Sequence, residues 1–324
     1  MSTILVIAEQ DNGVFRKGSV EAVSQARQLA DKMDAQVVTL ALAANLSSGA
    51  KIFADVGSDR FIAVQGPQYD HLIADSVYPV ALAVARETGA ELILLSATTL
   101  GKDLAPKLAV TLDAALVSDC TGLHYSDGQI EVERPLYAGK VMARALLNSA
   151  VKIISLRPNV FEIAVLREGA DVTVELRTPP SEQGKVELVE FRRTKGAVPD
   201  VAEADIIVTG GRGMRGPDNF KMLEELAHLL GGAVGATRAA VDSKWRPHSD
   251  QVGQTGKVVS PTLYIMCGAS GSVQHWAGMS GSKCIVAVNR DADAPIISRA
   301  DYSIIGDLFE ILPVLIEKIR AIKS

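Results

Sequence analysis

Cysteine is scarce in this sequence, and none is placed for chemistry. Cys120, Cys267 and Cys284 are the only three in 324 residues, and no two form a C-x-x-C pair. An odd, scattered set argues against a disulfide framework and points to a reducing compartment. The five histidines show no H-x-x-x-H or Cys/His spacing, so a zinc motif is missing as well. No cluster of Lys and Arg stands out against a net charge of −5, which argues against nucleic acid or an anionic membrane surface as partner. No apolar run reaches the length of a membrane span. The chain enters its first strand by Ile4, which leaves no room for a signal or transit peptide. Internal repeats and low-complexity tracts are also missing. A soluble protein of the bacterial cytoplasm, without membrane insertion, is the expectation.

What is present is apolar sequence in quantity, 48% of residues, on a chain comfortable for two cores. In the first half, solid apolar runs alternate with helical periodicity. Ile4 to Ala8, Val37 to Leu40, Phe61 to Val64 and Leu92 to Leu95 read as buried strands. Between them Val20, Val23, Ala26, Ala30 and Met33 recur at helical spacing, with Ser19 as a cap. Val80, Ala81, Val84 and Ala85 do the same, with Pro79 in the first turn and Gly89 as the stop. Leu104, Leu108, Ala109 and Leu112 mark one more helix. Such alternation predicts a parallel sheet covered on both faces. Gly13 and Gly18 form no phosphate loop after the first strand, so this half reads as scaffold.

From about Thr121 to Phe191 the period changes towards two, with candidate strands at Gln129–Leu136, Lys152–Leu156, Val172–Leu176 and Lys185–Arg192. These predict an antiparallel extension that completes an N-terminal α/β domain of residues 1–195. Thr194 to Asp200 is the linker candidate. Residues 196–324 then form a second domain, a doubly wound parallel sheet.

That second domain restarts with the strand Asp205 to Thr209, followed by Gly210-Gly211-Arg212-Gly213-Met214-Arg215-Gly216 and a helix from Pro217. Gly211, Gly213 and Gly216 satisfy G-x-G-x-x-G, a pattern that sets backbone donors and a helix N-terminus at an anion. An NAD-type site also needs an acidic residue roughly 20 residues on to hold the ribose. The sequence there is Ala233-Val234-Gly235-Ala236-Thr237-Arg238, without Asp or Glu. Further strands are expected at Leu263–Met266, Cys284–Val288 and Tyr302–Ile304. The closing helix from Asp307 carries Pro313, which should bend or divide it.

The rest of the chain is organised around residues 251–275. Gln251-Val252-Gly253-Gln254-Thr255-Gly256-Lys257 is a small-residue loop, Leu263 to Met266 a short buried strand, and Gly268 to His275 a second small-residue loop that opens a helix. Glycines here let backbone N–H groups approach a ligand, and Thr255, Ser270, Gln274 and His275 supply side-chain donors. Arg238 reads as a fixed cation near a cofactor ring or as a surface arginine. Asn289 reads as a site residue or as the cap of the turn through Arg290-Asp291. Asp307 accepts from a ribose hydroxyl or caps its helix. Cys267 and Cys284 read as core thiols.

Gly235-Ala236-Thr237-Arg238-Ala239-Ala240-Val241-Asp242, Gln251 to Lys257, Ser270-Gly271-Ser272-Val273-Gln274-His275, Val288-Asn289 and Asp307-Leu308-Phe309 occur in an order and spacing that resembles the alpha subunit of electron transfer flavoprotein across the second half. The resemblance implies an FAD held in the second domain, with its adenine end near Asn289, Asp307 and Leu308. It implies a pyrophosphate and ribityl region along Ser270, Gly271, Ser272, Val273, Gln274 and His275, with Arg212 and Thr237 in contact. It further implies a ring held by Gln251, Val252, Gly253, Gln254 and Thr255, with Thr255 at the flavin N5, His275 at O2 and Arg238 over the ring. Thr237, Trp276 and Ala269 depart from the usual serine, leucine and larger aliphatic; the first keeps the hydroxyl.

The implied partner is a beta subunit holding AMP or a second FAD. The implied role is that of an electron carrier and not an enzyme. It would serve electron transport such as fatty acid beta-oxidation, taking electrons from acyl-CoA or other dehydrogenases and passing them to a quinone oxidoreductase or another acceptor. Whether the assembly bifurcates electrons stays open. The sequence also leaves open an NAD(P)-dependent oxidoreductase built on Gly211 to Gly216, and a nucleotide-sensing module without redox chemistry.

Overall fold

The structure, a computed structural model, describes residues 2–46, 49–137, 139–180, 185–186, 188–190 and 200–323. The chain divides into two compact units, residues 1–136 with 140–193, and residues 137–139 with 194–324. The expected linker lies outside the described residues, apart from Asp200.

The first unit is built on a seven-stranded sheet. Across it run Thr173–Arg177, Arg60–Gln65, Ala35–Ala43, Ser2–Ala8, Leu92–Ser96, Lys152–Leu156 and Ala115–Cys120, and every pairing is parallel. The unbroken apolar strands follow from cores on both faces. Ile4, Val6 and Ala8 pack with the helix Lys17–Met33. Leu5 and Ile7 pack with the helices Ala74–Thr88 and Thr99–Leu112. A separate three-stranded antiparallel sheet joins Gly122–Ser126, Gln129–Leu136 and Val141–Leu146.

Several local expectations need correction. Lys152–Leu156 and Thr173–Arg177 are not part of the antiparallel extension but parallel members of the main sheet. Ile153 and Ile154 are fully buried, as a strand covered on both faces requires. Of Lys185–Arg192, the residues described are not in a strand, and the rest lie outside the described residues. Ser19 lies inside its helix, where its hydroxyl exchanges hydrogen bonds with the Glu9 backbone instead of capping. Pro79 lies inside its helix, beyond the first turn, and the final helix Leu308–Lys323 continues through Pro313.

The second unit is a five-stranded, all-parallel sheet. Its order is Ala233–Ala236, Ile206–Gly210, Leu263–Cys267, Cys284–Asn289, Tyr302–Ile305. In chain order that is 2-1-3-4-5, so the topology reverses between Ile206–Gly210 and Leu263–Cys267. At such a point the loops leaving neighbouring carboxyl ends open a crevice that ligands use. Val208 and Ile265 face the helices Phe220–Leu230 and Leu308–Lys323, whereas Ile207 and Tyr264 face the side that holds Met279 and Ile296. Among the described residues, no helix is long and apolar enough to cross a membrane.

Candidate functional site

The two strands at the reversal end in loops that are zipped together through backbone. Gly211 donates to the Cys267 carbonyl at 2.9 Å and Gly213 to the Gly268 carbonyl at 2.8 Å. A Cβ on Gly211 would lie 2.4 Å from Ala269 Cβ, and one on Gly213 2.6 Å from Gly268 Cα. Gly268 has φ +62°, and a Cβ there would meet Leu308 Cδ2 at 2.7 Å. The first two glycines of G-x-G-x-x-G are therefore required by this loop-to-loop approach. The third is not, since a Cβ on Gly216 would meet open space. Nor does the helix start at Pro217. A 3₁₀ turn over Arg212–Met214 comes first, and the helix begins at Phe220. The helix N-terminus is thus set back from the glycines, unlike the dinucleotide fingerprint.

Outside this zipper lies a cavity of about 260 Å³, into which Arg212, Arg215, Asn289, Arg290, Asp307 and Leu308 project or border. Three guanidinium groups against one carboxylate make it a place for an anion. Asn289 donates to the Ala269 carbonyl at 2.9 Å and accepts from Asp291 N at 3.1 Å, so it does cap the expected turn. Asp307 accepts from Phe309 N at 2.9 Å as a helix cap and meets Arg215 Nη2 at 3.3 Å. Arg215, at φ +61°, also lies over the Phe309 ring at 4.8 Å. Arg215 and Arg290 were not singled out by the sequence reading. Their signal was position alone: one lies within the glycine motif, the other directly follows Asn289.

The loop 251–257 is held on the far side of the same edge. Val252 donates to the Ala236 carbonyl at 3.0 Å, which seats Gln251 and Val252 beside the end of Ala233–Ala236. Gln254 N donates to the Gln274 carbonyl at 2.8 Å, and Lys257 N to the Gln251 carbonyl at 2.7 Å. Gly253 has φ +143°, and a Cβ on Gly278 would lie 2.4 Å from its Cα, so the loop rests directly on the helix Val273–Met279. Within it, Gln251 Nε2 donates to Thr255 Oγ1 at 3.0 Å, leaving that exposed hydroxyl free to donate outwards.

His275 and Thr237 carry the least ordinary features. His275 is 5% exposed, and its Nε2 lies 2.9 Å from the Tyr264 hydroxyl. Its Nδ1 is buried without a hydrogen-bond partner. Burial pushes its pKa down to about 4, against a smaller upward pull from the Val252 backbone. The ring is therefore neutral at neutral pH. Thr237 N donates to the Gly210 carbonyl at 3.0 Å, and its buried Oγ1 is likewise unpartnered. Buried polar atoms without partners are uncommon in proteins, and these two stand on the carboxyl edge of one sheet.

Arg238 opens the short helix Arg238–Asp242 with its side chain 68% exposed and Asp242 at 3.4 Å. It is a solvated cation at the rim. Ser270, Ser272, Val273 and Gln274 are exposed along the loop and the first helical turn, while Gly271, at φ +71°, packs on Ile296. Trp276 lies under the Arg299 guanidinium at 5.1 Å. Burial pushes the Cys267 thiol up to about 12, which makes it inert. Cys284 is only half-buried, less enclosed than a core thiol. No group of three or more metal-ligating side chains occurs among the described residues.

Comparison with known proteins gives concordant findings for both halves. Residues 4–191 match the family model described as electron transfer flavoprotein domain, and residues 200–280 match the electron transfer flavoprotein FAD-binding domain. The chain is 39% identical to an electron transfer flavoprotein subunit alpha of Thermoanaerobacterium thermosaccharolyticum, covering 99% of this chain and 98% of the relative. It is 37% identical to the protein FixB of Clostridium saccharobutylicum, over 99% and 97% of the two. It is 36% identical to the subunit alpha of Bacillus subtilis, over 98% and 97%.

Proposed function

The chain belongs to the family of electron transfer flavoprotein alpha subunits and is an FAD-containing electron carrier, and from that premise we propose that the carboxyl edge of its second sheet is where FAD is held. The residues present fit the group. Two buried polar atoms without partners, a loop pair kept bare by glycine and an arginine-lined cavity suit a long cofactor with a polar ring and a diphosphate. The observation that carries this reading is His275 Nδ1, a polar atom kept dry and unpartnered on a ligand-binding edge. FAD, when bound, supplies the redox chemistry of its isoalloxazine ring.

This chain's residues then divide the work. Arg212 and Asn289 hold the charged and adenine portions at the cavity, and Asp307 and Leu308 border them. Thr237 and the Ser270–Gln274 segment line the middle of the cofactor with hydroxyl, amide and backbone donors. Gln251 to Thr255 face one side of the ring, with Thr255 aimed by Gln251. His275 presents a polar atom to a ring oxygen, and Arg238 supplies positive charge from the rim. No nucleophile or general base is needed, and none is assigned. We further assign to the carrier a beta-subunit partner, dehydrogenase donors such as acyl-CoA dehydrogenases, a quinone-linked acceptor and a cytoplasmic location, the last supported by three free thiols.

Substituting Thr255→Val tests the ring assignment. Removing the hydroxyl should move the flavin potential while FAD stays bound, as read by reductive titration of the heterodimer with its beta subunit. An unchanged potential would contradict the placement of Thr255 at the ring.

A further inference from the structure

We propose that Tyr264 is a positioning residue for the flavin: its hydroxyl donates to His275 Nε2 and so holds the imidazole in the tautomer that carries its proton on Nδ1. The inference rests on the reading that His275 faces the cofactor.

Tyr264 lies in the central strand Leu263–Cys267, is fully buried, and has its oxygen 2.9 Å from His275 Nε2. The rings are inclined at 58° with centroids 6.1 Å apart, so the contact is made by the hydroxyl and not by stacking. A buried phenol must place its proton on an acceptor. Thr209 Oγ1, the other polar side-chain atom against Tyr264, holds the phenol's pKa down, as a hydroxyl that donates to the phenolic oxygen does, and meets no other partner. The imidazole lone pair at Nε2 is then the acceptor. Burial raises the Tyr264 pKa far above neutrality and lowers that of His275 to about 4, so both groups are neutral and share this one bond.

A neutral imidazole that accepts at Nε2 carries its own proton on Nδ1. The opposite arrangement would turn the phenolic proton to Thr209 Oγ1 and leave that buried hydroxyl without an acceptor of its own, at the full desolvation penalty. It would also turn a bare lone pair at Nδ1 towards the cofactor, where a carbonyl oxygen would be repelled. With Tyr264 in place, Nδ1 presents a dry N–H donor, which strengthens as negative charge develops on the acceptor.

The test uses the FAD-loaded heterodimer with nitrogen-15-labelled histidine. Long-range nitrogen–proton spectra read the tautomer, and His275 is assigned by the signal lost in His275→Gln. The wild type should show the proton on Nδ1, and Tyr264→Phe should abolish that preference. A proton on Nε2 in the wild type overturns the proposal, even if the variant fails to fold. An unchanged tautomer in a folded Tyr264→Phe also overturns it.

The first-electron potential of the flavin is measured on the same samples. It should fall in Tyr264→Phe by the equivalent of about a tenfold loss of stabilisation, about 59 mV. A tautomer that changes while the potential does not upholds the Tyr264–His275 coupling and contradicts instead the placement of His275 at the ring.

Discussion

At the residue scale the proposed site has a few polar atoms kept dry and one cation kept wet. Coulomb attraction at about 4 Å is worth roughly 4 kcal/mol at an effective dielectric near 20, but only about 1 kcal/mol in water. Arg238 is two-thirds exposed and shared with Asp242, so its contribution lies near the lower figure. Arg238→Ala should lower the first-electron potential by a few tens of millivolts, roughly 40 mV for about 1 kcal/mol, with FAD retained; a reductive titration reads it.

His275 makes a second, independent statement. Its folded pKa, about 4, lies below its unfolded value of 6.5. The unfolded chain therefore binds the extra proton first as pH falls. The stability His275 contributes is intact above pH 6.5 and is lost between there and about 4. Glu9, 4% exposed at the end of the strand Ser2–Ala8, behaves oppositely. Burial pushes its pKa up to about 7, against a hydrogen bond from Thr98 and the charge of Arg16. The native state takes up its proton first, so the contribution of Glu9 is present below about pH 4.5 and lost as pH rises to about 7, on the order of 3 kcal/mol. Denaturant unfolding of Glu9→Gln should accordingly show a smaller loss of stability than the wild type between pH 5 and 8.

At the scale of elements, the loops after Ile206–Gly210 and Leu263–Cys267 define the edge, and their glycines divide into two kinds. Gly213→Ala drives a methyl into the Gly268 backbone, which cannot rotate away. The expected cost is about 1–3 kcal/mol, with weakened FAD retention. Gly216→Ala faces open space and should alter stability by less than about 0.5 kcal/mol. Thermal unfolding and flavin-release assays on the pair separate them; equal effects would mean that the loop contact does not shape the site.

Sequence pattern shows the glycine motif but not this division, because loop contact joins Gly213 to Gly268 across two separate strands. The same limit explains Lys152–Leu156. Its apolar run identifies a strand, yet its partners are Leu92–Ser96 and Ala115–Cys120, and a short run carries no information about such distant pairing. Tyr264 was hidden for a related reason. In Leu263-Tyr264-Ile265-Met266 it reads as one more core residue, although a buried phenol implies a partner, and His275 lies on the helix that follows. What was legible from Gln251 to His275 is the layout, two small-residue loops around a short buried strand with a helix after them, because its signals are local in sequence.

At the scale of the molecule, one unit offers a closed, two-faced core and the other a reversal point with an open edge. The parallel architecture of both was legible because continuous apolar strands alternating with amphipathic helices have few other solutions. The reversal itself depends on strand order, which no local pattern encodes. It puts residues from five separate stretches, led by Arg212, Thr237, Gln251, Ser270 and Asn289, along one edge of one sheet, as a cofactor longer than any single loop requires. The most direct measurement is the visible spectrum and flavin stoichiometry of this chain assembled with its beta subunit, before and after addition of FAD. The account predicts a yellow complex with one FAD assigned to this chain, lost or weakened in Gly213→Ala. A colourless complex that takes up no added FAD would contradict it.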